Sequence, residues 1–378
     1  MSLLALEGVD KFYGAAQALH NVCFECEEGE FFTLFGPSGA GKTTILELIA
    51  GVKADYRGSI RIRGRAMESV PIQSRNVAMA FEDYALYPHL SVEDNIAFPL
   101  RSPRAKKIGE AAIRKNVGWI AEELGIGQLL DRSPAQLSGG QKQRVSLARA
   151  LVREADVYLL DEPIAHLDAK LRTVARANLK AMARDLGATI LYVTHDYREA
   201  LGLSDRVLIL NEGRVLQIGE PRAIYHAPAT DYVGRLVGDP AMNLLDGVLE
   251  AGEAGPRFRA GEAVFHLTTK LAEAAQKRLG AGLNVARLGI RPAAVSVAAE
   301  PPDGDATPLR VYAIEGGAES DLVYFEIDKA TFGGTAAKSA AVKFDSEVWV
   351  TLDGTRGHLF DATFALDAGG APRLGQGS

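Results

Sequence analysis

The chain has 378 residues, of which 47% are hydrophobic and 24% charged, a composition typical of folded globular proteins that excludes gross disorder. At roughly 100–200 residues per domain, this length predicts two or three domains. Its 42 basic and 48 acidic side chains leave a net charge of −6, which argues against a nucleic-acid binder, because such proteins usually carry a strongly positive surface.

The N-terminus has no basic region, and its short apolar start runs into Glu7 and Asp10. We therefore expect no signal peptide. We also expect no membrane-spanning helix, because no uncharged run of the sequence approaches about 18 residues. Any role at a membrane would then depend on a partner.

Two cysteines, Cys23 and Cys26, lie in Asn21–Leu34, a run typical of a strand. A CxxC pair can be redox-active or form half of a zinc site, but no second pair is present to complete a four-cysteine site. Residues three apart on a strand face opposite sides, so we expect the thiols to diverge. We interpret both as ordinary strand residues in a chain without a disulfide framework, as is usual in a reducing compartment.

Short apolar runs alternate with helical patterns through the first 235 residues. Helices are predicted at Thr44–Ala50 and Lys170–Leu186, the second from a single apolar face that ends before Gly187. Strands are predicted at Phe31–Phe35, Val157–Leu160, Thr189–Val193 and Arg206–Leu210. Strands that alternate with helices favour a mainly parallel sheet.

Ser102–Leu130 interrupts this alternation with a polar, basic and helical pattern. We interpret it as part of an inserted helical subdomain at about residues 83–155. Its basic side chains fit either a solvated helix face or a contact with an acidic partner; they are Arg104, Lys106, Lys107, Arg114 and Lys115.

The character of the sequence changes near Tyr232–Asn243, beyond which Pro301–Pro308 is a polar loop. Short alternating runs typical of strands occur at Ala263–Leu267, Leu322–Ile327 and Val348–Leu352. We therefore predict one domain over residues 1–235 and a separate small all-β domain over residues 236–378.

A glycine-rich loop follows the first predicted buried strand and opens a helix. Its sequence, Gly36-Pro37-Ser38-Gly39-Ala40-Gly41-Lys42-Thr43, matches the phosphate-binding pattern GxxxxGK[ST]. Glycines let backbone N–H groups converge on phosphate oxygens, and the helix N-terminus adds partial positive charge. Lys42 supplies a full charge to the β- and γ-phosphates, and the Thr43 hydroxyl is suited to Mg²⁺.

Two more motifs contain residues suited to binding a metal ion, activating water or binding an anion. The strand at Val157–Leu160 ends in Asp161, which fits a Mg²⁺-linked carboxylate, and Glu162, which fits a base that positions water. Between Lys42 and this strand lies Leu137-Ser138-Gly139-Gly140-Gln141, ahead of a helical pattern. An isolated serine there would only cap the helix, but beside the other two motifs the glycines favour a second anion site.

With His195 after a further strand, these motifs resemble the ATP-binding subunit of an ABC transporter. The resemblance implies an α/β P-loop NTPase fold that uses ATP and Mg²⁺. It also implies two subunits facing head to tail, in which Ser138–Gln141 of one subunit cover the ATP on the other's phosphate loop. By the same resemblance Tyr13 stacks on adenine, Thr44 belongs to the nucleotide-binding loop, and His195 contacts the γ-phosphate.

The resemblance covers nearly the whole chain. Tyr84–Val92 is similar to the segment of carbohydrate-importer ATPases that meets the membrane partner. Gly289–Pro292 and His358–Asp361 are similar to the C-terminal domain of the same group, an OB-like β-barrel, often called TOBE, that regulates transport. The group is the maltose- and glycerol-phosphate-type branch of bacterial and archaeal importers.

This branch implies a peripheral ATPase on the cytoplasmic face of the inner membrane that drives import of a sugar, polyol or glycerol-type solute. The implied partners are a second ABC ATPase subunit, two membrane-spanning permease subunits and, indirectly, an extracytoplasmic solute-binding protein. No nucleic acid is among them. The solute itself is not readable, because the partners select it.

Two residues depart from the family pattern. Glu82 stands where the family usually has a glutamine that reaches Mg²⁺ and the attacking water, so we place Glu82 in the nucleotide and metal sites with an altered charge. Its effect is favourable only if it touches the metal ion, because it also faces the γ-phosphate. In Ala165–Asp168, Ala165 replaces a serine expected at the dimer interface. Both changes fit either neutral drift or a heterodimer with a differently substituted ATPase subunit.

Two alternatives to a hydrolysing subunit remain open. A degenerate partner that senses ATP but hydrolyses little at its own site is favoured only by Glu82, because Lys42, Asp161 and Glu162 are intact. A soluble ABC ATPase that acts on DNA or ribosomes typically has two fused units, coiled coils or zinc fingers. This chain has one phosphate loop and no basic tail. Steady-state ATPase activity distinguishes the first alternative from a hydrolysing subunit.

Overall fold

The computed structural model describes residues 2–103, 107–167 and 169–361. Predictions for Arg104, Lys106 and Asp168 therefore lie outside the described residues. Contacts within the chain divide it into two units, Met1–Arg222 and Ala223–Ser378. The domain boundary at residue 235 stays a prediction. Within the described ranges, no helix combines the length and apolar composition that crossing a membrane requires.

The first unit is an α/β structure. Its strands are β1 (Ser2–Tyr13), β2 (Ala16–Glu27), β3 (Phe31–Phe35), β4 (Tyr56–Ile62), β5 (Arg65–Ala66), β6 (Val77–Ala80), β7 (Val157–Asp161), β8 (Ile190–Thr194), β9 (Arg206–Asn211) and β10 (Arg214–Gly219). Its helices are α1 (Lys42–Ala50), α2 (Val92–Ala97), α3 (Glu110–Glu123), α4 (Gly139–Leu151), α5 (Ala169–Leu186) and α6 (Tyr197–Leu203). Short 3₁₀ turns occur at Ile72–Ser74, Gly127–Leu129 and Pro134–Gln136.

Six strands form the main sheet in the order β10-β9-β3-β8-β7-β6, with β10 antiparallel and the other five mutually parallel. This confirms the predicted parallel sheet. Four further strands form an antiparallel sheet in the order β2-β1-β4-β5. Every residue of β3, β7 and β8 is buried, as expected for parallel strands covered on both faces.

The main sheet separates two hydrophobic cores. On β7, Tyr158 and Leu160 pack into a core with α2, α3 and α4, whereas Val157 and Leu159 pack into the core shared with α1 and the smaller sheet. This division follows from the alternation of side chains along a strand. The helices of the predicted helical subdomain thus share a core with one face of the sheet.

Two sequence predictions need correction in detail. Asn21–Leu34 is not one strand: β2 ends at Glu27, and Gly29, with a φ of 76°, lies in the turn that precedes β3. The helix predicted over Ser102–Leu130 is shorter, because α3 begins only after the extended backbone of Gly109. The cysteine prediction is confirmed, since Cys23 is exposed and Cys26 is buried.

The second unit is built mainly from two sheets. Its strands are β11 (Asn243–Glu250), β12 (Arg257–Ala260), β13 (Ala263–His266), β14 (Val285–Ile290), β15 (Val295–Ala298), β16 (Thr307–Arg310), β17 (Ala313–Gly316), β18 (Ser320–Ile327), β19 (Ala330–Ala337), β20 (Glu347–Leu352) and β21 (His358–Phe360). Its helices are α7 (Pro221–His226), which begins two residues before the division between the units, α8 (Asp231–Leu236) and α9 (Thr269–Gly280). Short 3₁₀ turns occur at Pro292–Ala294 and Lys338–Ala340.

The strands run in the orders β13-β12-β11-β14-β21 and β16-β20-β15-β19-β18-β17, and only β15 and β19 pair in parallel among the described strands of this unit. Side chains from both sheets share one hydrophobic core. The β-rich C-terminal region is as predicted, and the structure adds α9, whose Leu271 and Ala275 are buried in that core.

Candidate active site

Four parallel strands of the main sheet end at the same edge, and each is followed by predicted site residues. The phosphate loop follows β3, Glu82 follows β6, Glu162 follows β7, and His195 follows β8. Parallel strands place their carboxyl ends together, which is where ligands bind in open α/β sheets. The sheet therefore brings residues that are far apart in sequence to one place.

The phosphate loop owes its shape to its glycines. A Cβ at Gly36 would lie 2.0 Å from the carbonyl oxygen of Leu210, so only glycine fits beside β9. Gly41 has a φ of 103°, a conformation that residues with a Cβ rarely adopt, and it leads directly into α1. The N-terminus of α1 therefore points its free N–H groups into the loop, as anion binding requires.

Lys42 is buried inside this loop. Its ammonium donates to the carbonyl oxygens of Gly36 and Pro37, each at 2.9 Å. Burial lowers the pKa of Lys42, and the negative charges of Glu162, Asp161 and Glu82 oppose that shift. The lysine charge is thus held where phosphate oxygens would lie.

Asp161 is 3% exposed at the end of β7. Burial raises its pKa from the ordinary 3.8 to about 6, against the opposing effect of a hydrogen bond from the Thr43 hydroxyl. Glu82 and Glu162 add to the increase by repulsion, and Lys42 opposes it. A buried carboxylate that is crowded by other acids favours a nearby cation.

The oxygen atoms of Thr43 and Asp161 are the ligand type that Mg²⁺ prefers. Within the described ranges, no group of three or more His, Cys, Asp or Glu side chains is arranged to hold a metal ion by itself. Mg²⁺ usually binds through one or two carboxylates together with substrate phosphates and water. The donor set present here fits that mode.

Glu162 and His195 form a direct pair. The Oε1 atom of Glu162 lies 2.8 Å from Nδ1 of His195. Because a carboxylate only accepts, Nδ1 carries the hydrogen, and Nε2 can face another group. The Glu162 side chain is 14% exposed and that of His195 is 55% exposed, so the pair lies at the mouth of the site.

The backbone at Glu162 has a φ of 44°, which is unusual for a residue with a Cβ. Its N–H donates to the carbonyl oxygen of Val193 at 3.0 Å, so the turn after β7 is tied to β8. Such local strain persists only where the surroundings hold it, and it is common at active sites.

The turn Ser138–Gln141 forms the N-terminus of α4. The Ser138 hydroxyl accepts from the N–H of Gln141 at 3.3 Å, and the Gln141 side chain accepts from the N–H of Ser138 at 2.9 Å. This capping box explains the serine and the glutamine locally. Ser138 and Gly139 are exposed, so the helix N-terminus is presented at the surface.

Tyr13 and Glu82 are both exposed. Tyr13 ends β1 on the antiparallel sheet, is 44% exposed, and has the ammonium of Lys11 5.1 Å from its ring centre. Glu82 follows β6 at the same edge of the main sheet, and its negative charge raises the pKa values of Lys42 and Asp161. The structure thus gathers Lys42, Thr43, Asp161, Glu162, His195 and Glu82 around the phosphate loop, while Tyr13 and Ser138–Gln141 lie on other elements.

Similar proteins identify this arrangement. The sequence profile of the ABC transporter family matches residues 19–165. An sn-glycerol-3-phosphate import ATP-binding protein of Rhizobium johnstonii is 37% identical over 364 residues, which cover 96% of this chain and 95% of that protein. A trehalose/maltose import ATP-binding protein of Thermococcus litoralis is 38% identical over an alignment that covers 96% of this chain and 98% of that protein. The chain belongs to the family of ABC transporter ATP-binding proteins.

Solved ABC cassettes share the fold of the first unit. One is a dimeric ATP-binding cassette in a post-hydrolysis state with bound ADP and phosphate; it is 29% identical, has a TM-score of 0.54, and covers 58% of this chain and 99% of its own. Another, from Clostridium perfringens, is part of the ABC transporter complex CbiONQ. It is 30% identical, has a TM-score of 0.54, and covers 59% of this chain and 90% of its own. The chain is accordingly an ABC ATPase.

Sequence reasoning assigned no role to Gln143, which the structure places between two loops of the ABC ATPase site. This buried side chain donates to the carbonyl oxygen of Glu162 at 2.8 Å and accepts from the N–H of His166 at 3.2 Å. It thereby connects α4, which we call the signature helix because it begins at the Ser138–Gln141 turn, to the turn after β7. The sequence offers one signal for Gln143, since this polar residue falls on the face of the predicted helix that its apolar residues mark as buried.

Arg172 and Glu199 were also missed. Arg172 donates to the carbonyl oxygens of Ala165 and Leu167, at 3.3 and 3.1 Å, and pairs with Asp196, beside His195, at 3.4 Å. Glu199, which is 2% exposed, accepts from the hydroxyls of Tyr192 and Thr194 at 2.9 and 2.7 Å. These bonds fix the loops that carry Glu162 and His195.

Proposed function

We propose that this ABC ATPase couples ATP binding and hydrolysis to the import of a sugar, polyol or glycerol-type solute through membrane-spanning partner subunits. The observation that carries the proposal is the Glu162–His195 pair at the sheet edge occupied by Lys42, Thr43 and Asp161. Relatives of nearly the same length are named as import ATP-binding proteins for sn-glycerol-3-phosphate, trehalose/maltose and xylose/arabinose.

The phosphate loop binds the nucleotide. Backbone N–H groups of Gly36–Gly41 and the start of α1 surround the β- and γ-phosphates, and Lys42 exchanges its two carbonyl partners for phosphate oxygens. Tyr13 stacks on the adenine ring. Pro37, Ser38, Gly39, Ala40 and Thr44 complete the loop.

Thr43, Asp161 and Glu82 would hold Mg²⁺, which neutralises charge on the phosphates when it is bound. Glu162 orients and deprotonates the attacking water, and the products are ADP and phosphate. His195 fixes the direction of the Glu162 carboxylate through Nδ1, and its Nε2 is available to the γ-phosphate. Arg172 and Glu199 hold in place the loops that carry Glu162 and His195.

The exposed N-terminus of α4 serves a second subunit. Ser138, Gly139, Gly140 and Gln141 cover the ATP held by the phosphate loop of the facing protomer, so each ATP lies between two chains. The facing chain is either a second copy or a related ATPase subunit. Closure of this dimer moves two permease subunits through the segment Tyr84–Asn95, and an extracytoplasmic solute-binding protein acts through them.

This role places the protein peripherally at the cytoplasmic face of the inner membrane. Residues 236–378 would form the OB-like, TOBE-type regulatory domain of the importer, and residues 1–235 the ATPase domain. Nucleic acid has no part in this proposal.

The test is the Mg²⁺-dependent ATPase activity of the purified chain, alone and with its permease subunits. We expect Glu162→Gln to retain ATP binding while hydrolysis falls at least ~100-fold, because the base is lost and the phosphate loop is not. Asp83→Asn, an exposed change nearby, serves as the control. Unchanged hydrolysis in Glu162→Gln, or no hydrolysis by the wild type with its partners, would contradict the proposal.

A further inference from the structure

The chain between β6 and α2 makes a left-handed bend without glycine. Tyr84 has a φ of 64° and Ala85 a φ of 40°, so two consecutive residues with a Cβ occupy a sterically unfavourable region. The bend keeps two local backbone hydrogen bonds. The N–H of Tyr84 donates to the carbonyl oxygen of Phe81 at 3.2 Å, and the N–H of Ala85 donates to that of Asp83 at 2.8 Å. Two adjacent strained residues persist only where the surroundings hold them.

Arg149, in the last turn of the signature helix α4, holds both strained residues. Its Nη2 donates to the carbonyl oxygen of Tyr84 at 3.0 Å, and its Nη1 donates to that of Ala85 at 2.8 Å. The guanidinium also lies over the Tyr87 ring, 5.5 Å from the ring centre. A planar fork with several N–H groups can bind two neighbouring carbonyls in one fixed geometry.

The bend lies between Glu82 and Tyr87, and Tyr87 is anchored by the Asn95 side chain. On one side, Glu82 precedes Tyr84 by two residues, and its negative charge raises the pKa values of Lys42 and Asp161. On the other side, the buried Asn95 side chain accepts from the N–H of Tyr87 at 2.8 Å and donates to its carbonyl oxygen at 3.1 Å. The direction of the chain through the bend therefore sets where Glu82 is presented.

We propose that Arg149 is a positioning residue that holds the Tyr84–Ala85 bend and thereby directs Glu82 toward the nucleotide site. We call the two bonds from Arg149 to the carbonyl oxygens of Tyr84 and Ala85 the clamp. The clamp is seen directly in the contacts of the bend, whereas its effect on hydrolysis rests on the proposed function. Arg149 is part of the helix that begins at Ser138, so the clamp also links the position of Glu82 to that of the Ser138–Gln141 turn.

Amide hydrogen exchange of the nucleotide-free chain tests the clamp without reference to activity. In Arg149→Met, we expect exchange at the amides of residues 84–87 to rise at least tenfold, because the bend loses its two external bonds. Arg153→Met is the matched control; its guanidinium donates to Asn76 at 2.8 Å and not to the bend, so exchange there should stay within twofold. Equal exchange at residues 84–87 in wild type and Arg149→Met would overturn the proposal.

Glycine rescue separates positioning from simple packing of α4. We expect Arg149→Met to reduce Mg²⁺-dependent hydrolysis at least tenfold, and Ala85→Gly added to it to restore at least a third of the wild-type rate, because glycine adopts a left-handed φ without steric cost. A loss that glycine does not reverse would contradict positioning and indicate packing alone.

Two further measurements keep these outcomes interpretable. If Arg149→Met does not fold, Arg149→Lys is used; we expect it to lie between wild type and the methionine variant in exchange at residues 84–87, because lysine keeps the charge but not the fork. Exchange in Arg149→Lys equal to wild type would overturn the proposal. Absence of hydrolysis by the wild type with its permease partners would refute the proposed function, while the exchange comparison still decides the clamp.

Discussion

Asp161, a proposed ligand of Mg²⁺, is buried at a cost in stability. In the folded chain its pKa is about 6, against an ordinary 3.8, because burial and neighbouring acids disfavour its charge. A raised folded pKa means that the folded state binds the proton more tightly than the unfolded state. Stability is therefore lost as pH rises from about 4 to above 6, and the loss is complete at about pH 8.

We predict that Asp161→Asn stabilises the nucleotide-free chain by up to about 3 kcal/mol at about pH 8, because it removes the ionisation and can still accept from Thr43. The gain should shrink steadily toward pH 5. Thermal unfolding of both chains across this pH range measures it. If the Asp161→Asn variant gains no more stability over wild type at pH 8 than at pH 5, the assignment is wrong.

In the proposed site, Glu82 helps to attract the divalent cation. We predict that Glu82→Gln raises the Mg²⁺ concentration for half-maximal hydrolysis about fivefold, since an exposed charge contact contributes up to about 1 kcal/mol. Titration of ATPase activity with Mg²⁺ is the measurement, and Asp83→Asn is the exposed neighbouring control. A Mg²⁺ requirement that stays the same or falls would show that the Glu82 carboxylate does not touch the ion.

Short sequence motifs predict some residues of the site and miss others. The bonds of Lys42 stay within its own loop, and Asp161 and Glu162 directly follow an apolar strand, so short patterns reveal them. Gln143 bonds to backbone atoms of Glu162 and His166, and Arg172 pairs with Asp196 on another loop. These contacts depend on the fold, and the sequence signals only a polar residue at a buried position of the helix for Gln143.

At the scale of elements, the loop after β8 depends on a buried carboxylate on α6. Glu199 accepts the hydroxyls of Tyr192 and Thr194, and the Thr194 oxygen accepts in turn from the N–H of Asp196 at 3.0 Å. Burial raises the pKa of Glu199, and the two hydroxyl donors oppose this shift. The network sets the exit of the chain toward His195.

We predict that Glu199→Ala lowers the free energy of unfolding by about 2–3 kcal/mol, because two buried hydroxyls lose their acceptor. Hydrolysis should fall as well, since the His195 loop loses its support. Glu199→Gln keeps one acceptor and should be milder in both respects. Denaturation curves and ATPase rates for the two variants test this, and full stability of the alanine variant would contradict it.

The elements themselves were predictable where burial is uniform. Phe31–Phe35 has the predicted bounds because all five residues are buried between two cores. The run Asn21–Leu34 misled because residues typical of strands continue on both sides of a tight turn at Gly29. The helix expected from Ser102 begins only at Glu110, since a polar composition does not mark where a helix starts.

At the scale of the whole molecule, α8 belongs by its contacts to the second unit. Arg287 on β14 pairs with the fully buried Asp231 at 2.5 Å. Arg291 donates to the carbonyl oxygens of Tyr225 and Val237, at 2.9 and 2.5 Å. These bonds join residues 225–237 to the β-rich region.

We predict that a fragment of residues 223–378 folds and melts cooperatively. A fragment of residues 236–378 should be less stable by roughly 1.5–3 kcal/mol, because it loses the charge-assisted bond between Asp231 and Arg287, while Arg287 keeps its pairing with Asp246. Circular dichroism melts of the two fragments provide the comparison. Equal melting temperatures would favour the boundary at residue 235.

In the proposed assembly, two chains hold each ATP between the Lys42 loop of one and the Ser138–Gln141 turn of the other. The most direct test is a structure of the Glu162→Gln chain with Mg²⁺ and ATP. Our account predicts a γ-phosphate within hydrogen-bonding distance of both Lys42 and Ser138 of the partner subunit. Nucleotide bound in the Lys42 loop, with that serine turn far from every phosphate, would contradict it.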